Sequence, residues 1–337
     1  MKKKIARPKA SQAEKQAALS NVLIEALKKA IEDGSNQAPW HKSWTGRPED
    51  IPHNGVTGKA YRGINPVVLS IVAQARGYES SAWLGFGQVR KLGGSVVAGS
   101  RATIICFWEK RLRKDKDEDG EEILLPYYLF GTQSVFNLDQ TTGVTLPKRR
   151  NAPEPVEELP FIPAERAQAI LDAYIKNGGP KLAHNGGDRA FYVPATDRIS
   201  LPKREAFHSV DEYYSTAFHE AGHSTGHKSR LDRFEKGQKL VAFGSEEYSK
   251  EELVAEFTAA FVAAEAGIDT TRDNSVSYLR SWIKRLKDDA SLAVLAAGKA
   301  QAAADLILVR AKEIYEFEDR NGGTAAKARL RQLKESE

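Results

Sequence analysis

The residues TAFHEAGHSTGH, 216–227, contain three of the chain's seven histidines. Within them, His219-Glu220-x-x-His223 places two imidazoles one helical turn apart, so that both point the same way and can hold one zinc ion. Glu220 lies beside them as the base, because zinc and a neighbouring carboxylate together activate water for attack on a carbonyl. The pattern predicts the active-site helix of a zinc peptidase. The alternative is a pair of surface histidines that bind no metal.

The residues on either side of this motif predict where its helix begins and ends. Ser209-Val210-Asp211-Glu212 is a capping-box pattern, and Gly226 is typical of a helix stop. The motif is surrounded by small and apolar side chains, namely Tyr213, Ala217, Phe218 and Ala221. We expect these neighbours to bury one face of the helix and to keep water away from one side of the metal.

A catalytic zinc needs a third protein ligand and an open fourth position. The downstream segment SKEELVAEFTAAFVAAEAG, 249–267, offers carboxylates on a helix otherwise rich in alanine and phenylalanine, which is an unfavourable place for an unpaired charge. We predict that Glu252 is the ligand and that Glu256, one turn later, orients a histidine. Glu251 and His227 remain alternatives for the third ligand. A solvated helix face is the alternative for the whole segment.

Three tyrosines near the motif are candidates to stabilise an oxyanion: Tyr192, Tyr213 and Tyr214. Tyr192 belongs to RAFYVPATDRISLP, 189–202, which predicts two short strands around a turn. A packed aromatic side chain is the more common role for such tyrosines, so the sequence leaves both roles open.

Charge divides the chain into two unlike halves. Residues 1–150 contain 24 Lys and Arg against 15 Asp and Glu, or +9, and the remainder contains 26 against 30, or −4. Between them, TLPKRRNAPEPVEELPFIP, 145–163, is rich in proline and lacks apolar periodicity, which is typical of a linker. We therefore predict a basic domain over 1–147, a linker over 148–163, a metallopeptidase domain over 164–318 and a charged tail over 319–337.

Both predicted domains contain helical and extended patterns, so the predicted fold class is α+β. QAALSNVLIEALKKAIEDG, 16–34, has the apolar period of a helix and ends in a glycine. The charge run KRLRKDKDEDGEEILLP, 110–126, lies between two β-rich segments and predicts an exposed hairpin loop. The second half is mostly helical in pattern.

The basic half has the composition that single-stranded nucleic acid requires. Between Lys59 and Lys114 there are ten Lys and Arg and only two acidic residues, interleaved with aromatic residues. Cations follow the phosphates while bases stack on rings, at about 1–3 kcal/mol per stack. Core tryptophans and a solvated cationic surface are the alternative. The candidate DNA-binding residues are Trp40, Lys42, Trp44, Lys59, Tyr61, Arg62, Arg90, Lys91 and Arg101.

Several classes of protein are excluded or disfavoured by what the sequence lacks. Cys106 is the single cysteine, so an intramolecular disulfide or a cysteine-rich zinc site cannot form, and a reducing compartment is expected. The chain has no run of 18 apolar residues and no phosphate-binding Gly-Lys-Ser/Thr loop. We expect a cytoplasmic protein that uses neither a membrane nor a nucleotide cofactor.

Seven segments together resemble one family. They are APWHKSW, NGVTGKAYRGIN, VRKLGGSVVAGSRATIICFW, YYLFGTQSVFNLDQ, RAFYVPATDRISLP, FHSVDEYYSTAFHEAGHSTGHKSRL and YSKEELVAEFTAAFV. The chain is similar over most of its length to ArdC-like antirestriction proteins of conjugative plasmids. The resemblance implies an N-terminal single-stranded-DNA-binding domain, shared with the N-terminal part of plasmid TraC primases, fused to a zincin-like metallopeptidase domain. It implies a metal site at His219, Glu220 and His223, with a third ligand in EELVAE.

These observations leave three functions open. In the first, an antirestriction protein protects incoming DNA from host restriction, binds single-stranded DNA and uses a gluzincin-like metallopeptidase site on a host protein. In the second, the DNA-binding half alone protects the incoming DNA, and the zinc is structural. In the third, a zinc peptidase has a basic domain only for localisation. The expected cofactor is one Zn²⁺ per chain, with another divalent ion such as Mn²⁺ as an alternative.

Overall fold

The computed structural model describes residues 10–40, 51–116, 122–147, 163–185, 187–234, 246–268 and 276–308. Their helices are α1 Gln12–Glu32, α2 Ile64–Arg76, α3 Phe86–Lys91, α4 Pro163–Lys176, α5 Val210–Ser224, α6 Glu246–Ala266, α7 Val276–Asp288 and α8 Leu292–Ile307. Their strands are β1 His53–Asn54, β2 Ala82–Gly85, β3 Ser95–Val96, β4 Thr103–Lys116, β5 Glu122–Asn137, β6 Thr141–Thr142, β7 Lys181–His184, β8 Phe191–Val193 and β9 Arg198–Leu201. This mixture confirms the α+β class.

The sheet of the N-terminal half is built around a long hairpin. Its strand order is β1-β2-β5-β4, with β1 parallel to β2 and the other pairs antiparallel. The pairing of β4 with β5 runs from Thr103 opposite Val135 to Lys116 opposite Glu122, so the hairpin is present, but its strands extend through most of the charge run 110–126 that the sequence pattern predicts as the loop. Its tip, 117–121, lies outside the described residues.

Helix α1 begins earlier than its apolar periodicity predicts, because a capping box lies upstream. The Ser11 hydroxyl accepts from the Glu14 amide at 3.2 Å, and the Glu14 carboxylate accepts from the Ser11 amide at 2.6 Å. The helix ends just before Gly34, which adopts a φ of 74° that favours glycine. Its apolar face is buried in the core.

The described part of the C-terminal half contains the sheet β7-β9-β8 and the helices α4 to α8. Helix α5 begins as predicted, with the Ser209 hydroxyl accepting from the Glu212 amide at 3.0 Å. It packs closely on α6, because Gly222 has no side chain. A Cβ on Gly222 would lie 3.1 Å from both Ala255 Cα and Thr258 Cβ. The glycine therefore allows the two helices to approach each other at the motif.

The two halves share one hydrophobic core, which includes Leu23 and Trp40 from the first half and Phe218 and Phe257 from the second. Polar contacts also join them. The Arg62 guanidinium forms an ion pair with the buried Asp305 of α8, and the neighbouring Gly63 amide donates to Gln301 Oε1 at 3.0 Å. The predicted linker lies outside the described residues except for Pro163, the first residue of α4, and the predicted tail 319–337 lies wholly outside them.

Across the described ranges, no single helix is both long and apolar enough to cross a membrane. One pair of helices, Leu279–Asp288 with Leu292–Ile307, reaches the required length and composition together, but the two are bent by 110° at the break between them.

Candidate metal centre

Helices α5 and α6 bring three predicted ligands together. His219 and His223 lie one turn apart on α5, and their Nε2 atoms are 3.2 Å apart. From α6, the Glu252 carboxylate reaches both rings, with Oε1 3.3 Å from His223 Nε2 and Oε2 3.6 Å from His219 Nε2. One donor atom from each of the three residues lies within 4.8 Å of the others.

These separations fit a single small cation. A tetrahedral zinc with ligands at about 2.0–2.1 Å sets neighbouring donor atoms about 3.3 Å apart. The donor set of two imidazoles and one carboxylate is also the set that such ions prefer at catalytic sites. The geometry is therefore compatible with a divalent ion held by His219, His223 and Glu252.

A carboxylate faces the other nitrogen of each imidazole. Glu256 Oε1 lies 3.6 Å from His219 Nδ1, and Glu251 Oε1 lies 3.7 Å from His223 Nδ1. Carboxylates in this position fix the orientation of a metal-binding histidine and make it more basic. The structure thus gives Glu256 the position predicted for it, and it adds a comparable position for Glu251, which the sequence suggested only as an alternative ligand.

The buried charges of the cluster shift one another's protonation. Burial lowers the pKa of His223, but the negative charges of the neighbouring Glu251 and Glu252 carboxylates outweigh it and raise this pKa to about 10. Burial likewise raises the pKa of Glu252, but the two imidazoles outweigh it and lower this pKa well below its usual range. The carboxylates of the cluster therefore stabilise positive charge at the point where the three ligands converge.

Glu220, the predicted base, is on the same helix and is 7% exposed. Its carboxylate forms no hydrogen bond or ion pair with any residue that the structure describes. His227 lies outside the ligand cluster, and its Nδ1 is 2.7 Å from Ser229 Oγ. The rival assignment of His227 as third ligand therefore has no geometric support.

The three candidate tyrosines have hydrogen-bond partners of their own. Tyr213 OH is 3.0 Å from His184 Nε2, and Tyr214 OH donates to Gln168 Oε1 at 3.0 Å. Tyr192 OH donates to Asp197 Oδ1 at 2.8 Å. All three are buried, which favours the role of packed aromatic side chains.

Beyond the motif, a buried arginine ties the end of α5 to the neighbouring sheet. Arg230 forms an ion pair with Asp197, and its Nε donates to the carbonyl oxygen of Ser224 at 2.8 Å. Its Nη2 also donates to Tyr192 OH at 3.3 Å. This network holds the backbone directly after His223, and single-sequence reasoning missed it because only the fold brings Asp197 and Arg230 together.

The structure separates the candidate DNA-binding residues into different classes. Trp40 is a correction, because its ring is 2% exposed and packs in the core, where it cannot stack on a base. Arg62 is engaged with Asp305, and Tyr61 is half-buried. Lys42 and Trp44 lie outside the described residues. Besides Arg62, whose side chain is also partly exposed, four candidate cations are exposed, as expected of a phosphate-binding surface: Lys59, Arg90, Lys91 and Arg101.

Phe86 is an aromatic residue that the sequence analysis did not select. Its side chain is 54% exposed at the start of α3, which also carries Arg90 and Lys91. The loop that carries Lys59 is joined to α3 by the Asn54 amide, which donates to Gln88 Oε1 at 3.3 Å. The sequence shows Phe86 only as one of several aromatic residues in a basic stretch, and its position on the helix that carries Arg90 and Lys91 distinguishes it from Phe107, which is exposed on β4.

Two family models match the chain, one in each half. The N-terminal domain of anti-restriction factor ArdC matches residues 17–136, and a zincin-like metallopeptidase matches residues 169–299.

Curated relatives extend the similarity across both halves. Two DNA primases named TraC from Escherichia coli are 38% and 36% identical over 87% of this chain, which spans only 20% and 27% of their lengths. The protein y4eC of Sinorhizobium fredii (strain NBRC 101917 / NGR234) is 33% identical over 82% of this chain and 87% of its own.

Solved structures agree with this similarity. The metal-free antirestriction protein ArdC from plasmid R388 is 33% identical, with a TM-score of 0.61 over 88% of this chain and 98% of its own. Its Mn(II)-bound structure is 32% identical, with a TM-score of 0.62 over 90% and 98%. With both halves matched, the chain belongs to the ArdC family of antirestriction proteins.

Proposed function

We propose that this chain acts in the cytoplasm and protects incoming plasmid DNA from host restriction. In this proposal the N-terminal half binds single-stranded DNA. The C-terminal half is a gluzincin-like zinc metallopeptidase that acts on a host protein. The observation that carries the enzymatic part is the convergence of His219, His223 and Glu252 beside Glu220. The donor atoms of the three proposed ligands lie within 4.8 Å of one another, which supports this proposal.

The residues fit one divalent ion per chain, and we propose Zn²⁺ because two imidazoles and one carboxylate are common zinc ligands. Mn²⁺ is the alternative, supported by the Mn(II)-bound ArdC of plasmid R388. A bound ion of this kind supplies a Lewis acid that polarises a peptide carbonyl and lowers the pKa of a water molecule. His219, His223 and Glu252 would hold it.

Glu220 is the residue that we propose moves the proton. Its carboxylate has no hydrogen-bond partner among the described residues, and it follows His219 directly on α5. A carboxylate in this place can take a proton from water and pass it to the leaving nitrogen of the peptide. Glu251 and Glu256 face the histidines from behind and keep their rings in place.

The proposed DNA surface lies around α3 and the loop before α2. From Ile51 to Trp108 the chain has a single acidic residue, Glu79, so the exposed cations there are not balanced by carboxylates along the chain. Phe86 supplies an exposed ring next to them. Cations for the backbone and a ring for stacking suit single strands without sequence preference.

A structural role for the metal is the second candidate, and one observation favours it. The ligands join α5 to α6, and α6 is also where the N-terminal half packs, since the rings of Trp40 and Phe257 are 5.2 Å apart. An ion at this place would therefore strengthen the shared core even without hydrolysis.

The variant Glu220→Gln distinguishes a catalytic from a structural role of the metal, because it removes the proposed base and keeps the shape of the side chain. Three quantities are compared with wild type and with Glu205→Gln, an exposed control: metal content, single-strand affinity, and protection of DNA entering a restricting host. We expect Glu220→Gln to keep metal and DNA binding and to lose protection. Full protection by this variant would show that the metal is structural.

The salt dependence of DNA binding tests the other half of the proposal. We expect single strands to bind more tightly than duplex, with an affinity that falls as salt rises. Equal affinity for both forms would instead favour a peptidase whose basic half serves only for localisation.

A further inference from the structure

Glu251 and Glu252 are adjacent carboxylates that both approach His223, but from opposite sides of its ring. Glu252 Oε1 is 3.3 Å from Nε2, the nitrogen that faces the ligand cluster, and Glu251 Oε1 is 3.7 Å from Nδ1. Two neighbouring carboxylates of equal chemistry are competitors for one cation. Something in the structure must therefore give each of them a separate position.

Arg233 holds Glu251 with a fork of two hydrogen bonds. Its Nη2 donates to Glu251 Oε1 at 2.6 Å, and its Nε donates to Oε2 at 3.3 Å. Two neutral acceptors fix the same guanidinium at the end of α5, since Nη2 donates to the Gly222 carbonyl at 3.0 Å and Nη1 to Thr225 Oγ1 at 2.6 Å. The Arg233 side chain is 8% exposed, so water screens this pair little.

We propose that Arg233 assigns the roles of the two carboxylates, holding Glu251 behind His223 so that Glu252 alone is left as the metal ligand. The inference rests on the metal site of the proposed function. A planar guanidinium bound to both oxygens of a carboxylate fixes its orientation, which a point charge such as lysine does less well. Arg233 is thus a positioning residue that acts on His223 through Glu251.

Charge gives a second reason for this assignment. Glu220, Glu251, Glu252 and Glu256 all belong to the two helices that form the centre, and a single divalent ion does not neutralise four carboxylates. Arg233 neutralises the one that lies on the far side of His223 from the cluster. It therefore reduces repulsion within the site and leaves the charge of Glu252 for the metal.

Arg230 is a matched control within the same short segment. Its side chain is 4% exposed and also forms a fork, but the fork is on Asp197, which lies outside the ligand cluster. A general loss of packing at the end of α5 would affect both arginine variants alike. A specific action on the ligands would affect only variants of Arg233.

The test titrates metal-free protein with Zn²⁺ and Co²⁺ and records the visible absorption of bound Co²⁺, which reports ligand geometry without any need for activity. We expect Arg233→Met to weaken affinity by about 10-fold, the lower end of the loss usual when a direct partner of a metal ligand is removed, because Arg233 acts on His223 through Glu251, and to change the Co²⁺ spectrum. Arg233→Lys recovers part of the affinity. Arg230→Met lowers the melting temperature but keeps wild-type affinity and spectrum.

A double-mutant cycle tests whether Arg233 acts through Glu251. In a Glu251→Gln background we expect Arg233→Met to cause no further loss of affinity, because the residue on which it acts is already neutral. Full additivity of the two changes would overturn the proposal. So would wild-type affinity in Arg233→Met, or an equal loss of affinity in Arg230→Met.

Two further outcomes distinguish an error in the proposed metal site from an error in the proposed role of Arg233. Wild-type protein that binds no metal would refute the metal site itself, whereas tight binding by wild type and Arg233→Met alike would refute only the role of Arg233. If Arg233→Met does not fold, the isosteric Glu251→Gln serves in its place. It must weaken affinity and alter the Co²⁺ spectrum, and an unchanged spectrum would overturn the proposal.

Discussion

The Trp40 ring meets Phe257 edge-on, with centroids 5.2 Å apart, and Phe257 is the residue directly after Glu256 on the metal-site helix. A side chain from the N-terminal half therefore supports the helix that carries Glu251, Glu252 and Glu256. This packing, and not base stacking, is the role that the geometry indicates for Trp40.

We expect Trp40→Ala to lower the free energy of unfolding by about 3–5 kcal/mol, because it removes a large buried side chain, and to weaken metal affinity as well. Urea unfolding and metal titration measure the two effects. Trp83→Ala is the control, since Trp83 is fully buried in the separate cluster formed with Leu69, Ile105 and Val135. It should destabilise the protein without changing metal affinity. Normal stability of Trp40→Ala with lost DNA binding would instead restore the stacking role.

We expect His223→Ala to abolish stoichiometric metal binding, because it removes one of three ligands from the cluster. Elemental analysis of purified protein measures this directly. His227→Ala, which changes a histidine outside the cluster, should retain one ion per chain. One ion per chain in His223→Ala would refute the ligand assignment.

Gly222→Ala should lower the free energy of unfolding by about 1–3 kcal/mol, since the added methyl group would press against Ala255 and Thr258 and push α5 away from α6. Metal affinity should fall too, because the ligands come from both helices. Gly87→Ala is a matched control in another helix, where a Cβ would have nothing within 4 Å. Wild-type stability and affinity of Gly222→Ala would show that the helices adjust without cost.

Phe86→Ala should weaken single-strand affinity by about 1–3 kcal/mol, the usual contribution of one stacked base, and leave the melting temperature unchanged because the ring is exposed. Fluorescence anisotropy with a labelled oligonucleotide measures the affinity. Phe191→Ala changes another exposed ring, on β8 in the other half, and should have no effect. Equal affinities for wild type and Phe86→Ala would place the DNA contacts elsewhere.

Acid should destabilise the fold partly through Asp197. Burial raises the pKa of this carboxyl, but hydrogen bonds from Arg230 and Tyr192 outweigh it and hold the pKa below its usual 3.8. A lowered pKa in the folded state means that the stabilisation is complete above 3.8 and is lost as pH falls through the lower, folded value. Asp197→Asn should therefore have a lower melting temperature than wild type at neutral pH, and the difference should shrink in strong acid. A constant difference would exclude this linkage.

The metal-binding motif could be predicted from sequence because its information is local. One helical turn separates His219 from His223, and Ser209 marks the start of their helix, so spacing alone sets the geometry. Glu252 and Glu256 could be selected because a carboxylate buried on an alanine-rich helix is unfavourable unless it binds a metal ion or a charged partner. The distances of both carboxylates from His219 agree with these selections.

What the sequence could not predict depends on contacts between distant residues. Trp40 and Phe257 are more than two hundred positions apart, and a tryptophan among cations has the same pattern whether it is exposed or buried. Arg230 and Arg233 likewise have the same local context, and only the fold shows that one binds Asp197 and the other Glu251. Contacts that bridge the two halves have no periodicity that a single sequence can reveal.

The shared core has a consequence for how such proteins are inherited. A gene fragment that encoded only one half would expose the apolar surfaces at which α1 packs against α7 and α8, and its product would be prone to aggregate. Recombination should therefore transfer the two halves together. The two TraC primases fit this expectation, since each carries a region similar to 87% of this chain within a protein several times longer. The pair of halves behaves as one heritable module, even though each half matches a family of its own.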